Sequence, residues 1–271
     1  MAFIIGFTAS DEKETNKNKV VSSQNTQLPP RKSLVDVHFV ENNCTLTYYN
    51  DEFYLHCGDM VYVDGKLEGV RGRVVSVNYN FKIKISDYKR VVAVVDTNVS
   101  GKLYIAGSHF LSFERDVINM EKVCQWFMPP KNDDEPFVSG SDGRAFRLDD
   151  LGDMDVSTLV AQRGHDYYMQ NRVRYICIDG AKGYAIVEGS EVYEVEFCFN
   201  NGEISELVCS CFCSYNCKHE FASMLQLKET LEFISKHYAD EYKRTGYFAA
   251  INKGTLFYFA VDTKETGTFT I

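Results

Sequence analysis

The chain has 271 residues, 45% of them hydrophobic, the composition of a globular protein with room for two domains or one large one. Its formal net charge of -9 and pI near 5.2 exclude a uniformly basic surface, and with it a general electrostatic affinity for nucleic acid. The count of 9 Cys is odd and crowded rather than spread, no N-terminal segment joins a basic region to an apolar run and a cleavage site, and no apolar stretch is long enough to span a bilayer, so reduced thiols in a cytoplasmic protein are expected.

MAFIIGF at the N-terminus is apolar and suits a short edge strand. Residues 8–33 are polar with little periodicity, so residues 1–33 read as a mobile or partly ordered arm. From residue 34 the pattern alternates and is rich in β-branched and aromatic residues. LVDVHFV, TLTYYN, MVYV, GRVVSVNYNFKIKI and KRVVAVVD are separated by glycine-bearing turns. Five short strands of this kind predict a small antiparallel, barrel-like sheet. Lys82 and Lys84 alternate with Phe81, Ile83 and Ile85, which fits either a phosphate-contact strip or simple amphipathic alternation. A further strand and a helix ending near Trp126 complete a mostly-β domain over 34–128, with Trp126 as a packing residue. PPKNDDEPFVSGSDG gathers Pro, Gly and acidic residues and marks a linker within 129–150.

In the last segment, 151–271, Asp155 or Ser157 caps a short helix. RYICID, GYAIVEG, VYEVEFCF and SELVCS then read as successive strands with turns at DGAKG, EGS and NNGE. HEFASMLQLKETLEFISKHY has helical spacing, with Phe221, Met224, Leu225, Lys228 and Leu231 on one side. The tail from Gly246 reads as one or two β-hairpins, with NKG as a turn.

Between the last strand and the helix lies CSCFCSYNCKH, which places Cys209, Cys211, Cys213, Cys217 and His219 within residues 209–219. Zinc bound by protein alone prefers four ligands. Cys209 and Cys211 are two apart at a strand end and point the same way if the chain curls at Ser210. Cys217 and His219 are also two apart, a spacing that a regular helix would separate by about 200°, so they belong at the helix start. There the first-turn N–H groups favour thiolate. This selects Cys209, Cys211, Cys217 and His219 as a closed, structural Zn(II) site, one per chain, with Cys213 in place of Cys209 as the alternative. A closed set leaves no position for a reactive water.

The pattern CSC-x5-CKH followed by EFASMLQL resembles the SWIM-type zinc finger, whose general form is CxC, a gap, then CxH. The upstream AQRGHDYY, RVRYICIDG and AIVEGSEVYEVEF look like the lead-in of bacterial SWIM regions, so the resemblance covers roughly residues 158–228. It implies zinc and a DNA-binding or protein-interaction role, with strands leading into the finger and a helix after it.

The expected architecture is therefore α+β: a small antiparallel β-barrel-like N-terminal domain plus a zinc-stabilised sheet-and-helix C-terminal domain. The expected function is a noncatalytic interaction module with a protein or DNA partner, without a membrane or small-molecule substrate. Two alternatives accompany it. One is a DNA-binding component of a DNA-processing or transposition-related system. The other is a hydrolytic or thiol enzyme using His165 and Cys177.

Overall fold

In a computed structural model, residues 2–5, 29–130, 140, 143–262 and 269–270 are described. The expected arm therefore lies largely outside the described residues, as do most of the expected linker and the end of the tail. The chain forms two compact units. One holds Met1–Ile5, Thr97–Asp262 and Phe269–Ile271, and the other Gly6–Asp96 and Thr263–Thr268.

Strand β1 (Ala2–Ile5) belongs to the larger unit. The smaller unit contains β2 (Ser33–Phe39), β3 (Cys44–Asn50), β4 (Met60–Val63), β5 (Arg71–Asn78) and β6 (Val91–Val94), in the antiparallel order β3-β2-β5-β4-β6. In β2 every second residue is buried, which sends Val35, Val37 and Phe39 into a core with Tyr48, Val61, Val63, Val74 and Val91. Gly72 is required here, because a Cβ would stand 2.2 Å from Val37 Cγ1 and 2.8 Å from Phe39 Cε1.

The sheet is not a barrel, contrary to the pattern's suggestion. NYNFKIKI alternates like a strand, yet the ladder stops at the pair Leu34–Asn78. Continued in register, Lys82 would face Pro30 and Ile83 would face Pro29, and proline has no N–H to give. Residues 79–84 thus stay outside the named strands, and a 3-10 turn follows at Ile85–Asp87. Among the described residues the bridge between the β3 and β6 sides is the isolated pair Tyr49–Arg90, just before β6, where Tyr49 N donates to Lys89 O at 2.8 Å. One bridge does not close a sheet.

The larger unit continues with β7 (Gly101–Ala106), β8 (His109–Ser112), α1 (Met120–Phe127), β9 (Phe146–Arg147), α2 (Thr158–Met169) and β10 (Val173–Asp179). Then come β11 (Lys182–Glu188), β12 (Val192–Asn200), β13 (Glu203–Cys209), α3 (Lys218–His237), α4 (Ala239–Thr245), β14 (Tyr247–Asn252), α5 (Lys253–Ala260) and β15 (Phe269–Thr270). Its ten strands form one antiparallel sheet in the order β15-β1-β7-β8-β14-β10-β11-β12-β13-β9. The buried strand β14 lies between β8 and β10.

Alternation assigns the two faces. Ile176, Ile178, Ala185, Val187, Val195, Phe248 and Ala250 pack with Ala222, Met224, Leu227 and Ile234 of α3. Tyr175 and Tyr184 face the other way: Tyr175 Oη donates to Ile118 O at 3.0 Å, and Tyr184 Oη lies 3.0 Å from Cys124 Sγ of α1. Trp126 is fully buried and stacks on Phe259 of α5 with ring centroids 4.8 Å apart, a packing role as expected. Ser157 caps α2, accepting from Val160 N at 3.3 Å. At NKG the chain enters a helix instead of turning into a hairpin. Asn252 Oδ1 accepts from Thr255 N at 3.2 Å and so caps α5.

Candidate metal centre

Two elements supply the cluster. Cys209 is the last residue of β13 and pairs with Val195 of β12. Pairing continues one residue further: Ser210 N donates to Glu194 O, and Ser210 Oγ accepts from Glu194 N, both at 2.9 Å. This anchors the strand end from which Cys211 departs. Cys217 is the N-cap of α3 and His219 lies in its first turn. Glu220 Oε2 reaches back to accept from Cys217 N at 2.6 Å, fixing the helix start.

The ligand atoms of Cys209, Cys211, Cys217 and His219 all lie within 4.8 Å of one another. His219 Nδ1 stands 3.7 Å from Cys209 Sγ and 3.6 Å from Cys217 Sγ. A tetrahedral zinc ion with Zn–S of ~2.3 Å and Zn–N of ~2.0–2.1 Å has S–N edges of about 3.6 Å. The set thus has the composition and spacing to hold a tetrahedral ion through three thiolates and Nδ1. Cys213 is exposed and outside the group.

The electrostatics point the same way. Cys211 N approaches Cys209 Sγ at 3.5 Å, and backbone hydrogen bonds from Cys213 and Glu220 reach the thiols of Cys211 and Cys217. Without a cation these contacts do not suffice. Burial pushes the Cys211 thiol up to about 12. The hydrogen bond with Cys209, followed by burial, raises Cys217 well above the usual thiol range. Burial, followed by the neighbouring Lys218 charge, lowers His219 to about 4, which keeps the imidazole neutral as a ligand must be. A bound cation would relieve the crowding of three thiolates, and its binding would release their protons.

A shell of glycines and tyrosines surrounds His219. Tyr193 stacks on the imidazole, centroids 3.9 Å apart and planes 16° apart, and Tyr167 of α2 lies 5.5 Å away at 58°. Lys218 Nζ sits 4.5 Å from the centre of the Tyr167 ring. Gly164 lets α2 reach the start of α3: a Cβ there would be 2.8 Å from Phe221 Cβ and 3.0 Å from Lys218 O. Gly189 makes room likewise, since its Cβ would be 2.9 Å from Tyr193 Cε2 and 3.2 Å from Tyr167 Oη. These positions come from AQRGHDYY and VEGSEVY, and the sequence carried no sign that they meet at His219.

His165 and Asp166 are exposed on α2, whereas Cys177 is buried in β10, its thiol pushed up to about 12 by burial. Because α2 packs on α3 and Cys177 faces away from α3, His165 and Cys177 are not brought together. Arg174 Nε donates to Glu188 Oε2 at 2.6 Å, and Arg172 Nε donates to Gln170 Oε1 at 2.8 Å. A cleft of about 520 Å³ opens beside the cluster, lined by Cys209, Cys211, Phe212, Tyr215 and Glu220 among others. No helix among the described residues is long and apolar enough to cross a membrane.

Comparison of the chain with protein-family models, with curated proteins and with solved structures returned no match. The geometry accordingly supports a zinc-finger-like Cys3His cluster in general terms, without singling out the SWIM family.

Proposed function

We propose that the protein is a noncatalytic interaction module of the SWIM type, stabilised by one structural Zn(II), and that its partner is a protein. The observation that carries this reading is the completeness of the ligand set. Four protein donors cluster at tetrahedral spacing, so a bound ion has no position left for water or substrate. Such an ion ties the end of β13 to the start of α3 and shapes the loop between them.

That loop supports a protein partner. Phe212 is 98% exposed and Tyr215 is 87% exposed, both between Cys211 and Cys217. Large aromatic side chains held in place are efficient anchors at protein interfaces. A nucleic-acid role has less support, because Arg172 and Arg174 are already engaged within the fold and the chain as a whole is acidic.

The test begins with metal analysis after purification without chelators. One zinc per chain is expected, and a metal-free yet folded protein would overturn the site. Next, a Phe212→Ala/Tyr215→Ala variant should keep its zinc and lose the partner that the wild type captures from its native cells. Salt-sensitive binding to DNA, unchanged by that variant, would replace the protein partner with DNA.

A further inference from the structure

We propose that residues 79–84 of the smaller unit, which continue β5 beyond the end of its ladder, accept an acidic, extended peptide segment as an added strand. The segment keeps the alternation of a strand, with Phe81 and Ile83 half-buried and Lys82 and Lys84 exposed. Phe81 is anchored by an edge-on contact with Tyr49, ring centroids 6.2 Å apart. Yet among the described residues the main-chain groups of Phe81, Lys82 and Ile83 make no backbone hydrogen bond. Pro29 and Pro30 are the physical cause, since they occupy the places from which β2 would otherwise extend the ladder. The result is a strand-like stretch in which, among the described residues, the main-chain groups of Phe81, Lys82 and Ile83 have no backbone partner, the feature that strand addition uses.

Charge selects the occupant. Lys82 and Lys84 project from the segment, and Arg31 lies over the exposed Tyr79 ring at 4.6 Å. Arg90, by contrast, is bound to Asp51 at 3.0 and 3.2 Å, so Lys82, Lys84 and Arg31 supply the positive charge of this segment. Lysines on an edge repel an identical edge, which disfavours a second copy of this chain. They favour a strand carrying Glu or Asp at alternate positions. A single-stranded nucleic acid fits less well, because stacking needs open aromatic faces and Arg31 covers one face of Tyr79.

The experiment uses the full chain, purified without chelators, and a ten-residue synthetic peptide alternating Glu with Thr or Val. Binding is followed by titration and by amide hydrogen exchange. Expected are saturable binding and exchange slowed about tenfold or more at residues 81–84. A Lys82→Glu/Lys84→Glu variant, altered only at exposed positions, should bind the peptide at least about tenfold more weakly, as should the wild type when the peptide carries Lys for Glu. Three results would overturn the proposal: no binding to the wild type, binding without protection at residues 81–84, or an oligothymidylate that binds more tightly than the acidic peptide with the same lysine dependence. Residues 79–84 and the Cys3His cluster belong to different units, so failure here leaves the metal reading intact, and a metal-free protein that still protects residues 81–84 leaves this one intact.

Discussion

The smaller unit and the end of the larger one that carries the Cys3His cluster differ in how their chains are packed. In the first, Val35, Val37, Phe39, Tyr48, Val61 and Val74 form a continuous apolar core that reaches along the strands. In the second, apolar anchoring stops at Leu207, and the loop that follows turns Phe212 and Tyr215 outward. A loop without a buried apolar side chain has little to offset its conformational entropy. The clustered cysteines and histidine lie at the two ends of that loop. The comparison teaches that candidate metal ligands gather where hydrophobic burial is sparse.

The sharpest way to break this contrast is to remove a ligand. Cys217→Ser should abolish stoichiometric metal and a large part of a binding free energy that reaches ~10 kcal/mol in small metal-folded domains. Metal analysis and hydrogen exchange would check it: protection should fall along β13 and α3 and persist along β2 and β5. Equal loss in both units would end the contrast.

Packing changes come next. Gly72→Ala strikes the core of the smaller unit and Gly164→Ala the helix contact beside the metal cluster, each by ~1–3 kcal/mol in chemical denaturation. Metal stoichiometry should survive the first, and zinc affinity should fall with the second, because Gly164 sets how α2 meets the start of α3.

Acid supplies a test of comparable or smaller size, confined to the larger unit. His109 is buried, with Nε2 3.0 Å from Val173 O, and burial lowers it to about 4. The unfolded chain takes up a proton near 6.5, the folded one only near 4, so this contribution is whole above pH 6.5 and is lost as pH falls toward 4. The total is on the order of 3 kcal/mol. His109→Gln should flatten the pH dependence of unfolding over that window, and an unchanged slope would refute the assignment. The smallest effect belongs to Cys213→Ala. Zinc content and melting temperature should stay at wild-type levels, and loss of zinc would move the ligand set.

The parts of this fold that were legible in the sequence are those determined locally. β10 to β13 follow one another through short turns, and α3 begins at its own cap, so alternation and spacing were sufficient. The four cluster residues fall within residues 209–219, close enough for strand and helix geometry to choose among them. What was not legible depends on distant partners. FKIKI has the pattern of a strand, and Pro29 and Pro30, far away in sequence, end its ladder. FYFAV reads as a strand by composition, yet Asn252 caps a helix there. The shell of Gly164, Tyr167, Gly189 and Tyr193 needs α2 and the turn before β12 to meet, which no single stretch announces.

The position of β14 has a consequence for how the molecule comes to exist. The ribosome makes β7 and β8 early and β10 to β13 later, and these two groups of strands have no common neighbour until residues 247–252 emerge. Until then both β8 and β10 present an open hydrogen-bonding edge. The two groups of strands are thus joined late, over long sequence separations, and such closure is intrinsically slow. The cluster at residues 209–219 is synthesised before that event, so a metal bound there would settle β13 and α3 while the centre of the sheet still lacks β14.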